Sequence, residues 1–210
     1  MYYCLNKDII QTTEKRYIII KRLMDIVIAF TGLLITLPFS VILAIVIKLS
    51  SKGHIIYSQE RIGKQGRSFQ IYKFRSMIEN AEINGPRLSF CHDCRITMVG
   101  KLMRRFKLDE IPNFLNVLMG EMSLVGYRPE RPYYIKQIQS HTSQYQQLFQ
   151  IKPGITSFGQ IKYGYAATVE EMVERLTFDL EYLGDISFQT DISIMLKTCK
   201  VIVRGNKSKL

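Results

Sequence analysis

The sequence predicts an α+β protein: an N-terminal re-entrant helix-break-helix in a membrane, then a basic domain built from a small β-hairpin and amphipathic helices. Three features carry that reading. The run Ile26–Ile47 holds 22 residues without a charge, two segments rich in Ile, Tyr and Phe flank the glycines of RIGKQGR, and later stretches repeat apolar residues at helical spacing. At 210 residues the chain is long enough for one domain with a real core and too short for two of ordinary size.

Residues 1–22 are polar to mixed and carry Lys15, Arg16, Lys21 and Arg22 without a small-residue cleavage site, which reads as a retained anchor. As one straight helix, Ile26–Ile47 would be roughly 33 Å long, enough for a hydrocarbon core of about 30 Å. Pro38 interrupts it near the middle, where it removes a helix hydrogen bond at a cost of roughly 3 kcal/mol unless the helix bends. Both flanks are basic, with Lys48 and Lys52 on the far side, so either spanning orientation exports a positive flank. A segment that enters, breaks at Pro38 and leaves on the same face satisfies both flanks; the alternative is a kinked spanning helix. A hydroxyl such as Thr36 or Ser40 is then expected to satisfy freed carbonyls.

His54–Glu60 and Ser68–Phe74 read as the hairpin strands, and Gly63–Ser68 lacks the spacing of a Walker A loop. Lys73 and Arg75 stand at i, i+2, which on a strand turns both cations to one face. Residues 76–95 read as a loop-rich connection with Gly85-Pro86 as a breaker. A short helix over 97–107 places Lys101, Arg104 and Arg105 on one side of its cylinder.

Next comes LDEIPNFLNVLMGEMSLVGYRPE. Pro112 is tolerated only in a first helical turn, so a helix to about Met119 is expected to begin with Asp109 as N-cap and Glu110 as first residue. Carboxylates there stay ionised, and the free N–H groups beside them can receive phosphate oxygens. A carboxylate among cations suits phosphoryl chemistry, though an acidic cap on a surface helix reads the same way. Residues 133–149 read as a Gln-rich helix, 168–183 as an acidic one, and 189–204 as a helix with Ile192, Met195, Leu196, Cys199, Ile202 and Val203 along one stripe.

The net charge of +11, from 29 Lys and Arg against 18 acids, implies an anionic partner: nucleic acid, anionic lipid or a phosphorylated substrate. No helix-turn-helix, zinc-finger or RNA-recognition pattern supports nucleic acid, and none is expected. Cys4, Cys91, Cys94 and Cys199 show no secreted disulfide framework. CHDC at 91–94 is a single CxxC, and a zinc site there needs two more ligands, with only His92 nearby. His54 and His141 read as ordinary residues.

The stretch 108–130 closely resembles the signature of bacterial sugar transferases, the monotopic phosphoglycosyl transferases. The resemblance extends to residues 21–52 as membrane segment, QERIGKQGRSFQIYKFRSM at 59–77, DCRITMVG at 93–100 and PGIT at 153–156, covering about residues 20–200. It implies transfer of a sugar 1-phosphate from a UDP-sugar to undecaprenyl phosphate with release of UMP, at the cytosolic face of a bacterial inner membrane. That would be the first membrane step of a capsule, O-antigen, exopolysaccharide or glycoprotein glycan, with downstream glycosyltransferases as further partners.

The resemblance also implies the same re-entrant hairpin. It assigns Asp109 as nucleophile and Mg²⁺ ligand, Glu110 to the acceptor phosphate or metal, Lys73, Arg104 and Arg128 to the substrate phosphates, and Asp179, in its D-x-x-Y, to a second metal or nucleotide contact. The chain departs from the family at Leu37-Pro38, at Tyr127 for the first proline of P-R-P, and at Ser157 for a glycine. The expected division is tail 1–22, re-entrant segment 23–52, cytosolic catalytic domain 53–204 and basic tail 205–210. Other classes of reading are a membrane-tethered nucleic-acid-binding module and a non-catalytic scaffold.

Overall fold

The computed structural model describes residues 15–83, 85–90 and 93–204. Cys4, most of the N-terminal tail, Cys91, His92 and the basic tail 205–210 lie outside them. The chain runs α1 (Lys15–Ser50), β1 (Ile56–Ile62), β2 (Ser68–Phe74), α2 (Met98–Arg105), α3 (Asn113–Met119), β3 (Ser123–Val125), α4 (Pro132–His141), β4 (Gly154–Thr156), α5 (Phe158–Lys162), α6 (Val169–Gly184) and α7 (Phe188–Arg204), with 3-10 turns at Lys64–Gly66, Leu108–Glu110 and Ser143–Gln150.

From Tyr17 to Ser50, α1 is long and apolar enough to cross a membrane. The expected interruption at Pro38 takes a different form: no residue of α1 leaves the helix, and the proline sits inside one continuous run. The Thr36 hydroxyl donates to the Gly32 carbonyl at 2.7 Å, not to the Leu34 carbonyl that Pro38 deprives of its amide partner, so the compensation expected of Thr36 does not form at that carbonyl. Ala29 before Pro38 and Leu43 and Ile47 after it are buried in the domain core, whereas none of residues 30–42 is buried.

The hairpin is as expected. β1 and β2 pair antiparallel from Ile56↔Phe74 to Ile62↔Ser68, and Phe69 and Ile71 are buried by alternation along β2 while Phe74 is buried from its other face. β3 and β4 pair in parallel, Ser123 with Gly154 and Val125 with Thr156. The strands come close because Gly126 and Gly154 lack side chains: a Cβ on Gly126 would lie 2.4 Å from the Lys152 carbonyl oxygen.

The main core joins Tyr127, Tyr134, Ile138, Tyr145, Leu148, Met172 and Leu176, drawn from the segment after β3, α4, the 3-10 turn that follows it and α6. The Gln-rich helix expected over 133–149 ends at His141. Thr142 is extended and its hydroxyl accepts from the Gln144 amide, starting a separate 3-10 turn. On α7 the expected stripe is not the buried face: Asp191 and Ile194 point inward while Leu196, Cys199 and Val203 are exposed. Asp191 sets that rotation by accepting hydrogen bonds from Tyr17 and Tyr182 at 2.6 Å each and pairing with Lys21.

Candidate active site

The D-x-R-I-T stretch builds the floor for the cationic helix. Asp93 and Arg95 form a buried ion pair at 2.6 Å, and Arg95 also donates to the Leu88 carbonyl at 3.0 Å, tying down the preceding loop. Thr97 caps α2 by accepting from the Gly100 amide at 2.9 Å. Gly100 lies so close to residue 76 that an added Cβ would sit 1.9 Å from the Ser76 carbonyl oxygen. That contact brings Arg104 inward. It donates to the Ser76 hydroxyl at 2.9 Å and the Ser89 hydroxyl at 3.1 Å, while Lys101 and Arg105, read as sharing its face, are exposed to solvent.

After α2 the chain reverses at Lys107, a non-glycine residue at φ 54, into the 3-10 turn Leu108–Glu110. The Glu110 amide donates to the Lys107 carbonyl at 3.1 Å. Asp109 is therefore not the N-cap of α3. Pro112 occupies that position, and both carboxylates lie about one turn earlier. The reason is local: i→i+3 bonds close the tighter turn, and Pro112 has no N–H to cap. Their ionisation is set by burial and by side-chain cations.

Those cations treat the two acids differently. Glu110 Oε1 lies 2.7 Å from Lys73 Nζ and 3.9 Å from an Arg128 guanidinium nitrogen, and Oε2 lies 3.9 Å from Lys107 Nζ. Burial opposes its charge, but Lys73, Lys107 and Arg128 together outweigh that and hold its carboxyl well below the usual range. Asp109 is buried and forms no ion pair within 4.0 Å among the described residues. Desolvation pushes its carboxyl above the ordinary value, with Lys73 and Arg104 opposing and Glu110 adding to the rise.

Lys73, Arg104, Lys107, Asp109, Glu110 and Arg128 all line one cavity of about 840 Å³. Lys73 reaches it from β2, opposite Tyr57. Arg75, expected on the same face, also lines the cavity, but β2 ends at Phe74 and its guanidinium donates to the Ser51 carbonyl at 2.7 Å and the Ser51 hydroxyl at 2.9 Å, clasping the end of α1.

The family departures have visible consequences. Tyr127 is fully buried, edge-on to Tyr145, so the residue that replaces proline anchors in the core while Arg128 beside it enters the cavity. Ser157 caps α5 by accepting from the Gln160 amide at 3.0 Å. Asp179 is 3% exposed, lies off the cavity lining, and accepts from the Gly159 amide at 2.9 Å and from the Arg128 amide. The structure thus places it behind Arg128, holding that loop.

Burial pushes the Asp179 carboxyl up to about 6, against Arg175 and its hydrogen bonds. A folded value above the free one of about 3.9 means that the folded state holds this proton more tightly. The group's contribution to stability is full below about pH 4 and falls as pH rises through about 6. Asp179→Asn removes that titration. Denaturant unfolding at several pH values between about 4 and 7 should show the wild type losing on the order of 2 kcal/mol relative to the variant. A pH-independent difference between the two would contradict this placement of the charge.

Sequence reasoning missed a second ionic cluster on the cavity wall. Glu130, 3% exposed, pairs with Arg175 at 2.6 Å and Arg61 at 3.3 Å, and lies 3.9 Å from Arg128 Nε. The acid directly after Arg-Pro was the available signal. Arg175 gave none, being one cation on a helix read as acidic. Among the described residues no group of three His, Cys, Asp or Glu could hold a metal ion, so any metal there would draw on substrate oxygens as well.

A cavity walled by cations holds one clamped carboxylate and one without an ion pair, in a chain whose first helix is long and apolar enough to cross a membrane. The bacterial sugar transferase family matches residues 16–205, and the chain belongs to that family. It is 38% identical over 189 residues to the UDP-N-acetylgalactosamine-undecaprenyl-phosphate N-acetylgalactosaminephosphotransferase of Aeromonas hydrophila, covering 90% of this chain and 45% of the relative. It is 40% identical over 191 residues to the UDP-glucose:undecaprenyl-phosphate glucose-1-phosphate transferase of Escherichia coli (strain K12), covering 86% and 39%. To a galactosyl transferase of Streptococcus agalactiae serotype III it is 36% identical over 204 residues, covering 92% and 44%. The chain spans less than half the length of these relatives.

Proposed function

We propose that the chain transfers a sugar 1-phosphate from a UDP-sugar to undecaprenyl phosphate, releasing UMP. The observation that carries this reading is the asymmetry of the acidic pair: Glu110 is held by cations, whereas Asp109 faces the same cavity unpaired. Asp109 is then the nucleophile. Its carboxylate oxygen bonds to the β-phosphorus, the bond from that phosphorus to the bridging oxygen breaks, and the electron pair leaves with UMP. An oxygen of the acceptor phosphate next attacks the same phosphorus and expels the Asp109 carboxylate, splitting one hard transfer into two easier ones.

Lys73, Arg104 and Arg128 offset the phosphate charges, and Glu110 keeps Lys73 oriented in the first step and serves the acceptor in the second. The unpaired Asp109 oxygen suits Mg²⁺, which Asp109 and the diphosphate would hold together and which would supply charge neutralisation. Incubation of the purified chain with undecaprenyl phosphate and a panel of UDP-sugars, read as UMP release, tests the reading. The three relatives are named for different sugars, so the panel includes N-acetylgalactosamine, glucose and galactose donors. No UMP from any donor in a folded preparation would count against it.

We further propose that α1 enters and leaves the membrane on the cytosolic face. The burial of Ala29 and of Leu43 and Ile47 in one domain supports this, because both sides of Pro38 return to the same body. An impermeant thiol reagent outside intact cells should leave Cys4 unlabelled; labelling from the periplasm would favour a spanning helix.

A further inference from the structure

Between Tyr17 and Asp25, α1 presents polar side chains to the domain, at the point where its uncharged run begins. Tyr17, Lys21 and Asp25 follow at intervals of four, on one face. Asp191, 2% exposed, receives Tyr17 and Lys21 together with Tyr182 of α6. Asp25, 4% exposed, accepts from the Leu124 amide of β3 at 3.0 Å. Arg22 donates to the carbonyls of Val117 and Leu118, at 2.6 and 3.0 Å, in the last turn of α3. That turn ends at Gly120, at φ 88, whose amide donates to the Val117 carbonyl at 3.0 Å, so Arg22 adds a second donor there and reaches the Leu118 carbonyl as well. Further along α1, Gly32 approaches Phe114 of α3 so closely that a Cβ would lie 3.1 Å from its ring.

The two elements held this way are those that carry the site. The turn before α3 presents Asp109 and Glu110, and α3 is a rigid rod of seven residues, about 10 Å long. β3 leads through Gly126 and Tyr127 to Arg128. Arg22 therefore grips one end of the rod whose other end holds the acidic pair, and Asp25 grips the strand that aims the arginine.

We infer that Arg22 and Asp25 are positioning residues. Through α3 and β3 they register the Asp109–Glu110 turn and Arg128 against the membrane helix, and so against the depth at which a lipid-linked phosphate is presented. This rests on the transferase reading above. Neither residue lines the cavity, so neither touches substrate.

The test uses the full chain in lipid nanodiscs and combines amide hydrogen exchange with UMP-exchange kinetics. Arg22→Ala should speed exchange within residues 108–120, and Asp25→Ala within 123–128, with the rest of the domain near wild type. Each should lower kcat about 10- to 100-fold, as expected for a misplacement near 1 Å, while KM for the UDP-sugar changes less than about 2-fold. Arg22→Lys, which keeps one donor, and Asp25→Asn, whose carbonyl can still accept from Leu124, should recover much of the rate. These conservative variants also serve if the alanine variants fail to fold.

Local exchange unchanged in both alanine variants, or faster exchange with kcat intact, would overturn the inference. So would a uniform rise in exchange across the domain that the conservative variants do not reverse, which marks a purely structural role. If the wild type releases no UMP from any donor, the transferase reading fails while the exchange measurements still decide whether these contacts hold the two segments.

Discussion

Asp109→Asn is expected to abolish exchange of labelled UMP into the UDP-sugar, by more than about 10³-fold, in the absence of any polyprenyl phosphate. The substitution keeps the side chain's size but removes the carboxylate that would attack phosphorus. The neighbouring cations should then still bind the donor, because Lys73 and Arg128 interact principally with Glu110 and, for Arg128, Glu130. Donor affinity should therefore survive while chemistry is lost. Intact-protein mass spectrometry of the wild type without acceptor should show a sugar-phosphate adduct that the variant lacks. A preparation active in overall transfer with neither exchange nor adduct would indicate direct transfer in a ternary complex and leave Asp109 as a metal ligand only.

The hairpin was legible because alternation along β2 and the glycines before it are local signals, and burial of Phe69 and Ile71 follows from them. The cluster around Asp109 was legible as a stretch of mixed sign, and its members Lys73, Arg104 and Arg128 line a common cavity. What was not legible depended on contacts distant in sequence. Arg75 shares an i, i+2 relation with Lys73, but the strand ends between them and Ser51 captures the guanidinium. The stripe on α7 was legible as apolar but not which way it faces, because Asp191 turns the helix to reach Tyr17, 174 positions away. Glu130 and Arg175 are ordinary in sequence and acquire meaning only when the fold brings two residues 45 positions apart to 2.6 Å.

Pro112 shows a different kind of miss. Its place near a helix start was read correctly, but the boundary fell about one turn later than expected, because a 3-10 turn intervened. This matters for chemistry, since it moves the acids from a helix terminus to a turn where Lys73, Lys107 and Arg128 decide which of them carries charge most readily.

Lys73→Met is expected to lower turnover by about 10²- to 10³-fold, the scale of losing one preorganised donor at a developing charge. Its main partner is Glu110 at 2.7 Å, with both side chains largely sequestered, so the two should act as a unit. Glu110→Gln alone should lower overall transfer comparably. If the residues worked independently, the double variant would lose the product of the two factors. Acting as a pair, it should lose little more than the worse single variant. Stability gives a second reading of the same coupling. Lys73→Met leaves Glu110 with cations only at 3.9 Å and should cost about 1–3 kcal/mol, part of which Glu110→Gln restores by removing the under-compensated charge. Fully multiplicative losses in turnover, with no recovery of stability in the double variant, would show that Lys73 meets the substrate phosphates without Glu110 to hold it.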